Sequence, residues 1–182
     1  MSSTPPTSTP LGQMLIAAVE DGGRLWEIKN LIDDGAPLNE TDTKGDTALI
    51  KAAAKNDFEL VEILLNAGCS PDTPDRDGNT PLIRTIEIIK DESSALNIIC
   101  ALIDRNADVL AVNDQGHDVM YYADKWKDFH IGIHSFLRSY SSSIAADRDT
   151  ADTASAAPKE QKPAFGARHT NLRQYIKRGM KK

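Results

Sequence analysis

The chain has little of what secreted, membrane-embedded or catalytic proteins are built on. Its two cysteines, Cys69 and Cys100, make no spaced pair of the kind that frames a disulfide-rich domain or a zinc site, so reduced thiols in an intracellular protein are the simpler reading. Both read as small core residues. Aromatic residues are only 5% of the chain, which leaves Ala, Leu and Ile to do most of the packing, a helical palette. No stretch approaches the roughly 18 consecutive apolar residues of a membrane-spanning helix. The opening MSSTPPTSTP has neither a basic nor an apolar leader region, so a soluble, uncleaved protein is expected.

Catalytic signatures are missing too. There is no Gly-x-x-x-x-Gly-Lys-Ser/Thr phosphate loop, no Gly-x-Ser-x-Gly elbow, and no carboxylate pair outside turns and helix caps. His130 and His134, spaced i, i+4, would share a helix face in a metal-competent geometry. No third ligand accompanies them at a recognised spacing, and no metal or cofactor is expected.

What is present is a repeat. Gly45 recurs as Gly78 at a spacing of 33, as do Asp42 and Asp75, Thr47 and Thr80, Leu49 and Leu82, and Gly35 and Gly68. A third copy lies 38 further on, taking Gly78 to Gly116, Leu82 to Met120 and Gly68 to Asn106, so five residues were inserted once, near Lys90 to Ser94. The first two copies predict a turn with glycine at positive φ, then a Thr N-cap opening a short helix. Pro81 falls where a missing N–H costs nothing. Phe58, Val61, Leu64 and Leu65 mark the apolar face of a second helix, with Gly68 as a left-handed C-cap. The polar insertion favours an extension of the third unit's first helix that ends in a loop.

Asp75-Arg-Asp-Gly78-Asn-Thr80-Pro81-Leu82 and Leu64-Leu65-Asn-Ala-Gly68 closely resemble the two strongest segments of the ankyrin repeat, a 33-residue turn and helix pair. The resemblance implies an all-α solenoid of about four units: 11–41, 42–74, 75–112 and 113–140, the outer two as degenerate caps. Residues 1–10 and 141–164 read as disordered, the latter a Ser, Ala, Asp and Pro-rich linker. The signature histidine of the family is replaced by Ile50, Ile83 and Tyr121, so apolar packing must stand in for its hydrogen bonds.

The resemblance also implies function: a non-enzymatic module that binds another protein in the concave groove of turn tips and first helices. The family's variable positions carry over to Thr43, Lys44, Asp46 and Lys55 in the second unit. In the third they are Arg76, Asp77, Asn79, Glu87 and Ile88, and in the fourth Asp114, Gln115, His117, Lys125 and Trp126. Mixed charge there argues against a simple phosphate-reading surface. Trp126 is either a groove hot spot or packing beneath the terminal cap. Tyr122 reads as structural, and Trp26 as a partly exposed cap residue.

The formal charge of −6 conceals a switch in sign. Residues 1–158 carry 13 Lys and Arg against 26 Asp and Glu, whereas 159–182 carry 8 against 1. Within the tail, 165–182, Leu172, Tyr175 and Ile176 fall at i, i+3, i+4, so a short basic amphipathic helix is available. Its contact residues would be Arg168, Leu172, Arg173, Tyr175, Ile176, Lys177 and Arg178. Such a tail serves as a second contact, as an autoinhibitory lid on the acidic body, or as an adaptor to nucleic acid or an anionic membrane surface. A solvated tail that aids solubility is the plain alternative. A cytoplasmic monomer is expected. Bacterial ankyrin proteins include some delivered to a host cell, and a basic tail is compatible with such a signal.

Overall fold

The computed structural model describes residues 10–128 and 130–151, with side chains through Ser142. The chain divides into two compact units, one ending at Ala123 and the other beginning at Asp124. In the first unit, α1 (Pro10–Asp21) pairs with α2 (Leu25–Asp33), α3 (Ala48–Lys55) with α4 (Phe58–Ala67), and α5 (Pro81–Glu87) with α6 (Glu92–Asp104). First helices stack on first helices and second on second: α1 on α3, α3 on α5, α2 on α4, and α4 on α6. A seventh helix, α7 (Val119–Lys125), runs across the division, and α8 (Ile131–Ala151) belongs to the second unit. Among the described residues there is no sheet, only an isolated bridge between Thr41 and Thr47.

Local chemistry sets the helix ends. The hydroxyls of Thr47 and Thr80 accept from the amides of Ile50 and Ile83, and the carboxylates of Asp57 and Asp91 accept from those of Leu60 and Ser94. Asn56, Gly68 and Asn106 close helices in the left-handed conformation. Between these stops, Leu15, Ile28, Leu49, Ile50, Leu64, Leu82, Ile83, Ile98 and Leu102 are fully buried along the stack. Each contributes about 1.5–3 kcal/mol of burial. Ile50 and Ile83, where the family carries histidine, are part of that core, whereas Tyr121 stays 41% exposed.

The structure corrects four expectations. Pro10 is the first residue of α1 and not part of a disordered terminus, since proline suits the first helical position. The insertion leaves the third unit's first helix short. It lengthens the linker to residues 88–91 and the second helix to 13 residues, because Asp91 is a ready N-cap. α8 continues through 141–151, which composition marked as linker, since no Pro or Gly interrupts the chain between Gly132 and Pro158. Cys100 is half-buried and not a core residue, whereas Cys69 is buried and its thiol is pushed up to about 12 by burial.

A candidate protein-binding face

Three turns lie along one edge of the first unit, built to one plan. In each, the side-chain oxygen of the opening residue accepts two backbone amides. Asp42 takes those of Lys44 and Asp46 at 2.7 and 2.9 Å, Asp75 those of Asp77 and Asn79 at 2.9 and 2.8 Å, and Asn113 those of Gln115 and His117 at 3.0 and 2.9 Å. Gly45, Gly78 and Gly116 close the turns at φ of 84°, 78° and 75°.

A second ring of bonds ties each turn to the helix that follows it. Lys51, with only 8% of its side chain exposed, lies 2.9 Å from Asp42, 3.2 Å from Glu20 and 3.5 Å from Asp46. One unit on, Arg84 reaches Asp75 at 2.6 Å and Glu87 at 2.7 Å, with Asp77 at 3.8 Å. In the fourth unit Tyr122 occupies the same register, and its hydroxyl accepts from the Asn113 amide at 2.9 Å. Two charged clamps are followed by a neutral one.

The charges shape one another. Burial pushes the Asp42 carboxyl upward, but Lys51 and the turn amides outweigh it and hold it below its ordinary range. Burial likewise disfavours the Lys51 ammonium, and its bonds to Asp42 and Glu20 reverse that and raise it. Arg84 is raised by Glu87 and Asp75 against the same opposing effect of burial.

Around this frame the sequence-predicted residues divide. Thr43, Lys44, Arg76, Asp77, Ile88, Asp114 and Gln115 are exposed at turn tips or at the end of α5. Lys44 is 3.9 Å from Glu20 with 71% of its side chain in solvent. Asp46 and Glu87 are half-buried on the clamps, and Lys55 donates to the Glu20 carbonyl at 2.6 Å. His117 is half-buried, its ring stacked on Tyr121 with centroids 3.5 Å apart. Asn79 is a correction: it is buried, its amide on Asp75 and its oxygen accepting from Asn113 across to the next turn, so it holds turns together and offers no contact.

Lys125 and Trp126 belong to the second unit. There Lys125 is exposed, and Trp126 is half-buried with its ring tilted against His130 at 6.1 Å. His134 bonds Asp124 at 2.7 Å, and among the described residues no three potential ligands gather into a metal site. Arg168, Leu172, Arg173, Tyr175, Ile176, Lys177 and Arg178 lie outside the described residues.

Sequence reasoning missed Glu20, Lys51 and Arg84, and read Tyr122 as structural without its bond to Asn113. A signal existed for the clamp register, because Lys51 and Arg84 are 33 apart and Tyr122 follows 38 later, in step with the acidic and Asn turn openers.

A family model for ankyrin repeats, in three copies, matches residues 15–113. The chain belongs to the ankyrin-repeat family. Ankyrin repeats generally mediate protein–protein interaction and are typically non-enzymatic. The matched segment ends at Asn113, the first residue of the turn that opens the fourth unit, whose bonding nevertheless copies the two before it. Among the described residues no helix is long and apolar enough to cross a membrane.

Proposed function

We propose that this ankyrin protein binds a partner protein on the face formed by its turn tips and first helices. One observation carries the reading. The clamps and caps hold the turns from beneath, with Asp42, Asp75 and Asn113 bonded inward, so Thr43, Lys44, Arg76, Asp77, Asp114 and Gln115 are exposed on a fixed frame. Preorganised, exposed positions on a supported loop are where binding energy is gained at low entropic cost. Ile88, 37% exposed beside Glu87, adds an apolar contact to this face. The protein acts as a cytoplasmic monomer without a cofactor.

The basic tail supplies a second contact or a lid. A rival reading, an adaptor to nucleic acid or an anionic membrane through Arg168 to Arg178, draws on the excess of 8 basic over 1 acidic residue in 159–182. The same excess is compatible with a delivery signal.

Salt and truncation separate these readings. Partner affinity that survives removal of residues 152–182 and falls little between 50 and 200 mM salt, tested at about those values, supports the turn face. Steep loss with salt, abolished by the truncation, supports the tail. The cut is placed after Ala151 so that α8 stays whole.

A further inference from the structure

The three turns form a ladder in which each closes on the glycine of the one before. A Cβ at Gly45 would stand 2.9 Å from the backbone nitrogen of Arg76, and one at Gly78 would stand 2.7 Å from that of Asp114. Neither position has room for a side chain. Between the turns of the third and fourth units the approach is also bonded: the Asp114 amide donates to the Asp77 carbonyl at 3.0 Å, and the Asn113 side chain donates to Asn79 Oδ1 at 2.8 Å. The residue that opens a turn thus supplies a side-chain bond and its successor a backbone one.

Gly116 stands in register with Gly45 and Gly78, yet a Cβ there would meet nothing within 4 Å. Gln115 holds the place of Asp77, and among the described residues its carbonyl accepts no hydrogen bond. His117 holds the place of Asn79, and its Nδ1 is buried with no hydrogen-bond partner. Buried polar atoms are ordinarily paired. The glycine face and the carbonyl that receive the next turn in the third unit are therefore repeated, open, in the fourth, and the side-chain position beside them is repeated unpaired.

We propose that this open end of the ladder is a binding site of its own, which takes a β-turn of a partner protein opened by Asn or Asp. The opening side chain bonds His117 Nδ1, the next residue's amide donates to the Gln115 carbonyl, and the incoming backbone lies over Gly116. Asn donates when the imidazole proton is on Nε2, and Asp accepts when it is on Nδ1. Affinity comes from main-chain addition, as at an exposed sheet edge, and selectivity from the first side chain. Lys44, Lys55 and Ile88 take no part and Gln115 is shared only through its backbone carbonyl, so this site does not require that the concave face bind a protein.

The probe is a cyclised peptide carrying the Asn-Asp-Gln-Gly-His turn of residues 113–117, made with Asn, Asp or Ala first, and titrated into the ¹⁵N-labelled full chain. The Asn or the Asp peptide, or both, should saturably shift the Gln115, Gly116 and His117 amides and the His117 ring nitrogens, with the Ala peptide about fivefold weaker or worse. Gly116→Asn, which tolerates positive φ and fills the empty face, should keep the thermal midpoint and weaken binding roughly tenfold. His117→Phe, which keeps the ring stack, should lose the preference for Asn or Asp over Ala. The proposal is overturned if no peptide shifts these signals, if Ala binds as well as Asn and Asp, or if His117→Phe keeps the preference. Should Gly116→Asn fail to fold, His117→Phe alone decides.

Discussion

The turns that open the third and fourth units share a backbone and differ in what locks it. In the third, Asp75 is bound by the Arg84 guanidinium through two nitrogens, with the Asp75 side chain only 2% exposed. In the fourth, Asn113 and Tyr122 make the same connection without charge. A charged lock is held strongly but is costly to break on one side, because the surviving carboxylate is left unpaired away from water. A neutral lock fails gently. The stack thus concentrates its electrostatic dependence in the second and third units.

The sharpest way to break this comparison is Arg84→Ala, expected to cost about 3–5 kcal/mol in chemical denaturation because Asp75 stays buried. If Asp75→Asn added to Arg84→Ala does not restore part of that loss, the buried charge is not its source. Lys51→Met should cost less, about 2–3 kcal/mol, since Asp42, Asp46 and Glu20 are more open to water than Asp75.

The same clamp predicts a pH window. Asp42 is held low, so its contribution is present above the ordinary Asp value near 3.9 and is lost as pH falls through its depressed value. Lys51 is held high, so its contribution is full below the ordinary Lys value near 10.4 and is lost as pH rises through its raised one. Lys51→Met should flatten the stability curve at both extremes, and an unchanged profile in urea titrations would remove the clamp from the account.

Tyr122→Phe, on the neutral lock, should cost only about 1 kcal/mol. A loss as large as that of Arg84→Ala would erase the distinction between the two turns. Smallest of all, Lys44→Ala should change the midpoint of thermal unfolding by less than about 0.5 kcal/mol equivalent, since an exposed pair at 3.9 Å is weak.

Much of this stack was legible in the residues. The spacing of Gly45, Gly78 and Gly116 reports a conformation that few other residues adopt, and Thr47, Thr80 and Gly68 mark helix ends by local bonding alone. Such signals need no tertiary knowledge. Asn79 was misread because its register position is variable in the family, while here its side-chain oxygen accepts from Asn113, a pairing made only when two turns stack. Lys51 drew no notice in the sequence because its pairing depends on Glu20, 31 residues earlier and one unit away. The extension of α8 was hidden for a different reason: low hydrophobicity argues against burial, and a helix free of Pro and Gly does not require it.

Whether the turn face holds a partner protein is decided by affinity after substitutions on two separate surfaces. With the partner captured from the native cell and then purified, calorimetry on the full chain would compare Arg76→Ala/Asp77→Ala with Glu59→Ala/Glu62→Ala, the latter pair exposed on α4. The account predicts roughly tenfold or greater loss for the turn-tip pair and less than about twofold change for the α4 pair. Equal affinity for the turn-tip variant and the unaltered chain, with loss at α4, would contradict it.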